Sequence, residues 1–220
     1  MPDEPFSITL PDGQAVTAVR TWPERKASSI VAYAPGAGSN VHDPFGRFLA
    51  RWLAEHGVST VRIQFPYMES ASRGRPDRPA LLEATWRAAI DALRGEAERL
   101  IVGGRSMGGR IASQVVAAGE PVDGLALFAY PLHPPGQPDR RRDAHLPRIA
   151  VPALFCSGTR DAFASPDELR AAAAKVPNAK LHLLEGADHG FAAPKASGRT
   201  KDDVWEEAAQ ALLEWTNELT

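Results

Sequence analysis

From residue 29 onward, short apolar runs alternate with stretches whose apolar residues recur every three or four positions. That alternation leaves few folds open. A continuous apolar run suits a strand buried on both faces, and a helical repeat after it suits the crossover that parallel strands require. Ser29–Ala34 is such a run, and after it Phe45, Phe48, Leu49, Trp52 and Leu53 line one face of a helix. Ser59–Gln64 follows, then a helix with Leu81, Leu82, Trp86, Ala89, Ile90 and Leu93. Arg99–Gly103 precedes a helix over Met107–Ala118, and Val122–Ala129 precedes an irregular, proline-rich connection over 130–148. Val151–Cys156 leads to a helix ending near Lys175, and Lys180–Leu184 to a last helix beginning near Asp202. Upstream, Phe6–Leu10 and Ala15–Arg20 flank Pro11-Asp12-Gly13, a turn signal that predicts a hairpin. The expected architecture is an α/β fold: eight strands in a mostly parallel sheet, helices on both faces, and an antiparallel hairpin at one edge.

Element ends carry matching signals. Asp43 is placed to cap a helix whose first residue is Pro44, and Gly57 lies beyond its end. Ser165-Pro166-Asp167-Glu168 reads as a capping box. Residues 1–220 are expected to form one domain, with no insertion long enough for a separate lid.

Twenty-five basic against 27 acidic residues give a formal charge of −2, which offers nucleic acid no electrostatic footprint. No apolar stretch is long enough to span a membrane. The acidic start Met1-Pro2-Asp3-Glu4-Pro5 lacks the apolar segment of a secretory signal. The single cysteine, Cys156, sits in an apolar run and reads as a small buried hydrophobe. Cytoplasmic residence is therefore expected. No metal-ligand spacing or phosphate-binding glycine pattern is present, and no cofactor is implied.

The chemistry concentrates in Gly104-Arg105-Ser106-Met107-Gly108, a G-x-S-x-G sequence between a predicted strand and a predicted helix. Such a turn holds a serine in a strained conformation with its hydroxyl above the sheet. Side chains two residues before and after the serine would collide, which accounts for both glycines. The pentapeptide alone also fits a structural turn, so its partners decide. A serine hydroxyl needs a general base, and the base an orienting carboxylate. Of the six histidines, His56 and His182 fall on regular elements and read as structural or solvated, and His145 has no motif around it. His189 lies in Gly186-Ala187-Asp188-His189-Gly190, directly after the last strand, where an open α/β sheet places its site. Asp161 follows the seventh strand in Ser157-Gly158-Thr159-Arg160-Asp161 and reads as the acid. Its rival, Asp188, adjoins His189 and reads as a residue that shapes the loop.

The order Ser106, Asp161, His189, each after a strand, resembles the α/β-hydrolase superfamily. The compact, capless layout resembles its dienelactone-hydrolase-like branch, whose eponymous members use cysteine where this chain has Ser106. The resemblance implies a catalytic triad of Ser106, His189 and Asp161. It also implies an oxyanion hole formed by the backbone N–H groups of Met107 and Ala37, the latter in Pro35-Gly36-Ala37-Gly38, where Pro35 replaces the family's usual histidine. A small-molecule ester is the expected substrate. Thioester hydrolysis, acyl transfer to another alcohol, and a non-catalytic binding or scaffold role share the same residues. Phe65-Pro66-Tyr67-Met68 and Tyr130-Pro131-Leu132-His133 are expected at the pocket wall, with Asn40 and His42 near its mouth and Asp43 either there or simply a helix cap. Arg73, Arg75, Arg78 and Arg140–Arg142 are expected to put positive charge near this edge, as solvated surface, with an acidic substrate as the alternative.

Overall fold

In the computed structural model, which describes residues 3–69 and 75–219, eight strands form one sheet. They are β1 (Asp3–Thr9), β2 (Ala15–Thr21), β3 (Ser29–Ala34), β4 (Ser59–Ile63), β5 (Arg99–Arg105), β6 (Gly124–Phe128), β7 (Ala153–Gly158) and β8 (Ala179–Leu184). Their order across the sheet is β1-β2-β4-β3-β5-β6-β7-β8. β2 runs antiparallel to both β1 and β4, and every other pair is parallel. The chain reverses its direction of travel across the sheet between β4 and β5. β3 and β5 are neighbours there, so the loops leaving them meet at one edge.

The crossovers are α1 (Pro44–Glu55), α2 (Pro79–Leu93), α3 (Met107–Ala117) and α4 (Pro166–Ala173), and α5 (Lys201–Glu218) closes the chain. Because strand side chains alternate, β3 feeds two cores. Ile30, Ala32 and Ala34 join one with Trp86 of α2, Ile111 of α3 and Leu169 of α4. Val31 and Tyr33 join the other with Phe45 and Leu49 of α1 and Trp205 and Leu212 of α5. Both faces of the central strands are thus dry, which is why those strands read as unbroken apolar runs. Cys156 is fully buried in the second core, and burial pushes its thiol pKa up.

The cap signals operate as written. Asp43 Oδ2 accepts from the Gly46 N–H at 2.8 Å. Ser165 and Glu168 make the reciprocal capping box of α4. Strand ends differ from the sequence reading by a few residues. β6 begins at Gly124 because Asp123 ties off the neighbouring strand: its N–H donates to the Leu100 carbonyl, and its carboxylate accepts from the Leu100 N–H. It ends at Phe128 because Ala129 turns out of the sheet at φ 48°. No helix among the described residues is long and apolar enough to cross a membrane.

Candidate active site

Ser106 stands between β5 and α3 at φ 50°, ψ −115°, with its N–H donating to the Phe128 carbonyl at 2.8 Å. That backbone conformation costs a non-glycine residue about 1–3 kcal/mol, and the surroundings enforce it. A Cβ on Gly104 would come within 2.0 Å of the Ala34 carbonyl oxygen, and one on Gly108 within 2.2 Å of the same atom. The end of β3 therefore requires both glycines. Trp86 of α2, wholly buried, donates its indole N–H to the Gly108 carbonyl at 3.1 Å and fixes the first turn of α3 from behind.

The loops after β7 and β8 are bound to each other. The Arg160 N–H donates to the Ala187 carbonyl at 2.9 Å, and the Gly186 N–H to Thr159 Oγ1 at 2.8 Å. Gly158 permits this approach, since a Cβ there would lie 2.1 Å from the Ala187 oxygen. The seam brings Asp161 to His189. Asp161 Oδ2 lies 2.8 Å from His189 Nδ1, and Oδ1 accepts from the Phe163 N–H at 2.8 Å. His189 Nε2 lies 3.0 Å from Ser106 Oγ. With Nδ1–H donated to the carboxylate, Nε2 is left as the acceptor for the serine proton. Phe163 stacks on the imidazole with ring centroids 4.1 Å apart. The Asp161 side chain is wholly buried, whereas that of His189 is 24% exposed. The Asp161 carboxylate thus sits in the core, with His189 and Ser106 at the partly exposed end. Asp188 shapes the loop as expected, accepting from the Gly190 and Ala192 N–H groups.

A cavity of about 550 Å³ opens over Ser106 and His189. Gly36, Ala37, Gly38 and Met107 line it, and Gly36 packs against Ser106 closely enough that a Cβ there would sit 3.4 Å from the serine Cβ. The Met107 N–H is at the open end of α3, and the Ala37 N–H makes no backbone hydrogen bond among the described residues. Neither N–H group is satisfied by a backbone carbonyl among the described residues.

Beside Ser106, Arg105 donates to the His189 carbonyl at 3.0 Å and approaches Asp43 Oδ1 at 3.9 Å. Asp43 also accepts from Tyr33 at 2.8 Å. It is therefore more than the helix cap expected from sequence: it links α1, β3 and the residue preceding the serine. The wall segments divide. Pro131 lines the cavity, while Phe65, Tyr130 and Leu132 are buried and His133 turns to Glu168 at 3.2 Å. Tyr67 and Met68, with Asn40 and His42, line a second cavity of about 670 Å³ that shares Gly38 and Ser39 with the first.

Two features were not read from the sequence. Arg110 and Arg142 both line the cavity, although Arg142 was expected as solvated surface. Arg73 lies outside the described residues. His145 is buried, with Nε2 2.7 Å from Ser113 Oγ and 3.4 Å from Tyr130 Oη. A serine one helical repeat beyond Gly109 and a histidine in an irregular segment carry no shared sequence signal.

Known proteins share this fold. A family model described as an alpha/beta hydrolase domain matches residues 27–217. The chain belongs to that family. Its fold is that of an alpha-beta serine hydrolase homologue from Coxiella burnetii, at 22% identity, TM-score 0.74, and coverage of 96% of this chain and 98% of that one. A serine hydrolase without lid from Xanthomonas campestris matches at 20% identity and TM-score 0.72, covering 98% and 96%. A dienelactone hydrolase from Anabaena variabilis matches at 20% identity and TM-score 0.74, covering 97% of each chain. The capless α/β-hydrolase fold and the dienelactone-hydrolase-like neighbourhood expected from sequence both stand.

Proposed function

We propose that this chain is a serine hydrolase that cleaves carboxylic esters of small molecules. The observation that carries the reading is the unbroken relay Asp161–His189–Ser106, at 2.8 and 3.0 Å, opening into a cavity lined by Ala37 and Met107. Membership of the α/β-hydrolase family supports it, as do structural neighbours named as serine hydrolases and as a dienelactone hydrolase.

In the first half-reaction His189 Nε2 takes the hydroxyl proton as Ser106 Oγ bonds to the ester carbonyl carbon. The carbonyl electrons move onto oxygen, where the Ala37 and Met107 donors meet the charge. Asp161 holds the imidazole orientation and stabilises its charged form. As the intermediate collapses, the carbon–oxygen bond to the alcohol breaks and His189 gives that oxygen its proton. Water then enters, loses a proton to His189, and releases the acid, returning the proton to Ser106.

Fluorophosphonate labelling tests this reading. The folded protein should form a covalent adduct that maps to Ser106 and is absent from Ser106→Ala. It should also hydrolyse p-nitrophenyl esters, with a chain-length optimum set by the 550 Å³ cavity. A folded protein that neither labels nor turns over would instead support a binding or scaffold role.

A further inference from the structure

The loop that carries Ala37 is fixed at three points. Its start packs on the nucleophile, with Gly36 against Ser106. Its end is the Asp43 cap, which accepts from Tyr33 of β3. Between them Val41 is buried, and side chains of the neighbouring strand take both its backbone groups. Arg62 of β4 donates from Nη1 to the Val41 carbonyl at 2.8 Å. Gln64, just past the end of β4, accepts from the Val41 N–H through Oε1 at 3.2 Å. Residues two apart on an extended chain share a face, so Arg62 and Gln64 hold Val41 from both sides. Residues 37–40, which join the first anchor to Val41, are partly or fully exposed. The backbone bonds within the loop are local: the Ser39 N–H to the Gly36 carbonyl at 3.3 Å, and the Asp43 N–H to the Asn40 carbonyl at 2.9 Å.

Stability does not account for this clamp. Arg62 is 1% exposed, in register with Tyr33 of β3. Its Nη2 meets the partly exposed Asp3 carboxylate at 2.7 Å, yet neither Nη2 nor Nε completes a well-aligned hydrogen bond among the described residues. A buried guanidinium with unmet donors is worse for the fold than an apolar side chain of similar size. The aligned bond that this guanidinium does make goes to Val41. Gln64 is 5% exposed, and its side-chain oxygen also goes to Val41, while its amide nitrogen donates to nothing among the described residues. Two buried polar side chains, each incompletely satisfied, thus spend their hydrogen bonds on one residue of the loop beside Ser106.

We propose that Arg62 and Gln64 are positioning residues for ester cleavage: by holding Val41 from both sides, they set where the Ala37 N–H meets the charge that develops on the carbonyl oxygen. The proposal rests on the hydrolase reading above and adds the strand that aligns one of its donors. Neither side chain lines the cavity over Ser106, so both act through the loop. A donor is effective only within about 2.7–3.1 Å of the oxyanion, so a small drift of residues 37–40 is enough to weaken it. The charge is present in the transition state and absent from the bound ester. Loss of the clamp therefore lowers kcat and leaves KM nearly unchanged.

Phenyl acetate and its thionoester, O-phenyl thioacetate, test it. A C=S sulfur accepts hydrogen bonds poorly and gains little from an oxyanion hole. The ratio of kcat/KM for the oxygen ester to that for the thionoester therefore reports donor placement, and it does not depend on how much of a variant is folded. The parent ratio should exceed that of hydroxide hydrolysis by about tenfold or more. Gln64→Met, which keeps length and volume but loses the acceptor, and Arg62→Met should each lower kcat on phenyl acetate by about 10- to 100-fold, with KM within about threefold. Each should also cut the ratio by about fivefold or more. Gln64→Glu keeps an acceptor and Arg62→Lys a donor, and each should recover part of the ratio. Thr60→Val, two residues earlier on β4, removes a buried hydroxyl that has no partner and should leave the ratio intact. If Arg62→Met does not fold, Gln64→Met decides alone. An unchanged ratio in the folded variants, or a rise in KM alone, overturns the proposal while fluorophosphonate labelling still upholds the hydrolase. A parent ratio no larger than that of hydroxide overturns it as well, since there is then no donor to align. If neither ester is hydrolysed and the protein does not label, the hydrolase reading has failed and the proposal with it.

Discussion

Ser106 and Ser113 stand seven residues apart at and within α3, and each has a histidine Nε2 beside its hydroxyl, at 3.0 Å for His189 and 2.7 Å for His145. Distance alone would favour the second pair. Their surroundings differ in three respects. His189 Nδ1 faces the Asp161 carboxylate, whereas His145 makes no contact with a carboxylate among the described residues. Ser113 donates its hydroxyl proton to the Arg110 carbonyl at 2.7 Å, so the bond with His145 runs from Nε2–H to the serine oxygen. Ser106 Oγ has no such carbonyl acceptor among the described residues; its partner is His189 Nε2, which can accept once Nδ1–H is given to Asp161. Finally, Ser113 is fully buried in a helix interior, while Ser106 occupies a strained turn and lines a cavity. On the hydrolase reading proposed above, the comparison teaches that what sets the Ser106 contact apart is proton direction, an acid behind the base, and access. The inner pair is structural: it ties α3 to the 130–148 connection.

The largest effect that could break this comparison comes from removing each hydroxyl in turn. Ser106→Ala should lower kcat/KM on an activated ester by on the order of 10⁴- to 10⁶-fold. Ser113→Ala should cost less than about tenfold on the same ester. Steady-state kinetics on the two purified variants decide it, and comparable losses would erase the distinction. Next in size is Asp161→Asn, which keeps the shape but favours the wrong histidine tautomer. It should cost about 10³- to 10⁴-fold in kcat.

How these residues could be found in advance differs as well. Asp161 and His189 were legible because each follows an apolar run by a few residues, and strand ends at one sheet edge converge whatever the details of packing. Gly104 and Gly108 were legible as glycines, yet the atom they avoid, the Ala34 carbonyl, appears only once β3 is placed beside β5. Arg142 and His145 were illegible because both lie in 130–148, which has no hydrophobic period to predict its path. Arg110 sits on a well-read helix, but whether it meets solvent or a cavity depends on where that same connection folds. Periodicity therefore reports the scaffold, and the aperiodic segment decides what the scaffold's site can hold.

A smaller effect separates how the two histidines are held. His145 is held by burial and its bond to Ser113, whereas the partly exposed loop of His189 is held by its seam with the β7 loop and by the Arg105 bond to its carbonyl. Arg105→Met should loosen that loop and lower kcat by about 10- to 100-fold through misplacement of the base. Arg105→Lys should recover part of the loss. A change in KM alone, with kcat intact, would assign Arg105 to substrate binding and leave the loop held by the β7–β8 seam.

The subtlest contrast lies in acid. Burial first, then the charges of Arg148 and Arg110, lower the His145 pKa to about 4. An unfolded histidine titrates near about 6.5. Between those values the unfolded chain binds a proton that the folded chain refuses. The contribution of His145 is therefore complete above the upper value and is lost as pH falls through the window. Asp143 acts lower down. Burial would raise its pKa, but Arg141 and Lys175 outweigh burial and bring it to about 2. Its contribution is present above the unfolded aspartate value of about 3.9 and is lost as pH falls toward 2. The two losses occupy separate windows and can be told apart. Thermal melts of the parent protein should lose stability in both. In His145→Leu, which removes the titrating group and leaves Ser113 one bond short, stability at pH 7 should fall by about 1–3 kcal/mol. The decline between about pH 6.5 and 4 should flatten, while the steeper fall below it persists. An unchanged slope in the upper window would mean that His145 takes up its proton without disturbing the fold, and the inner pair would then be no more structural than the outer one.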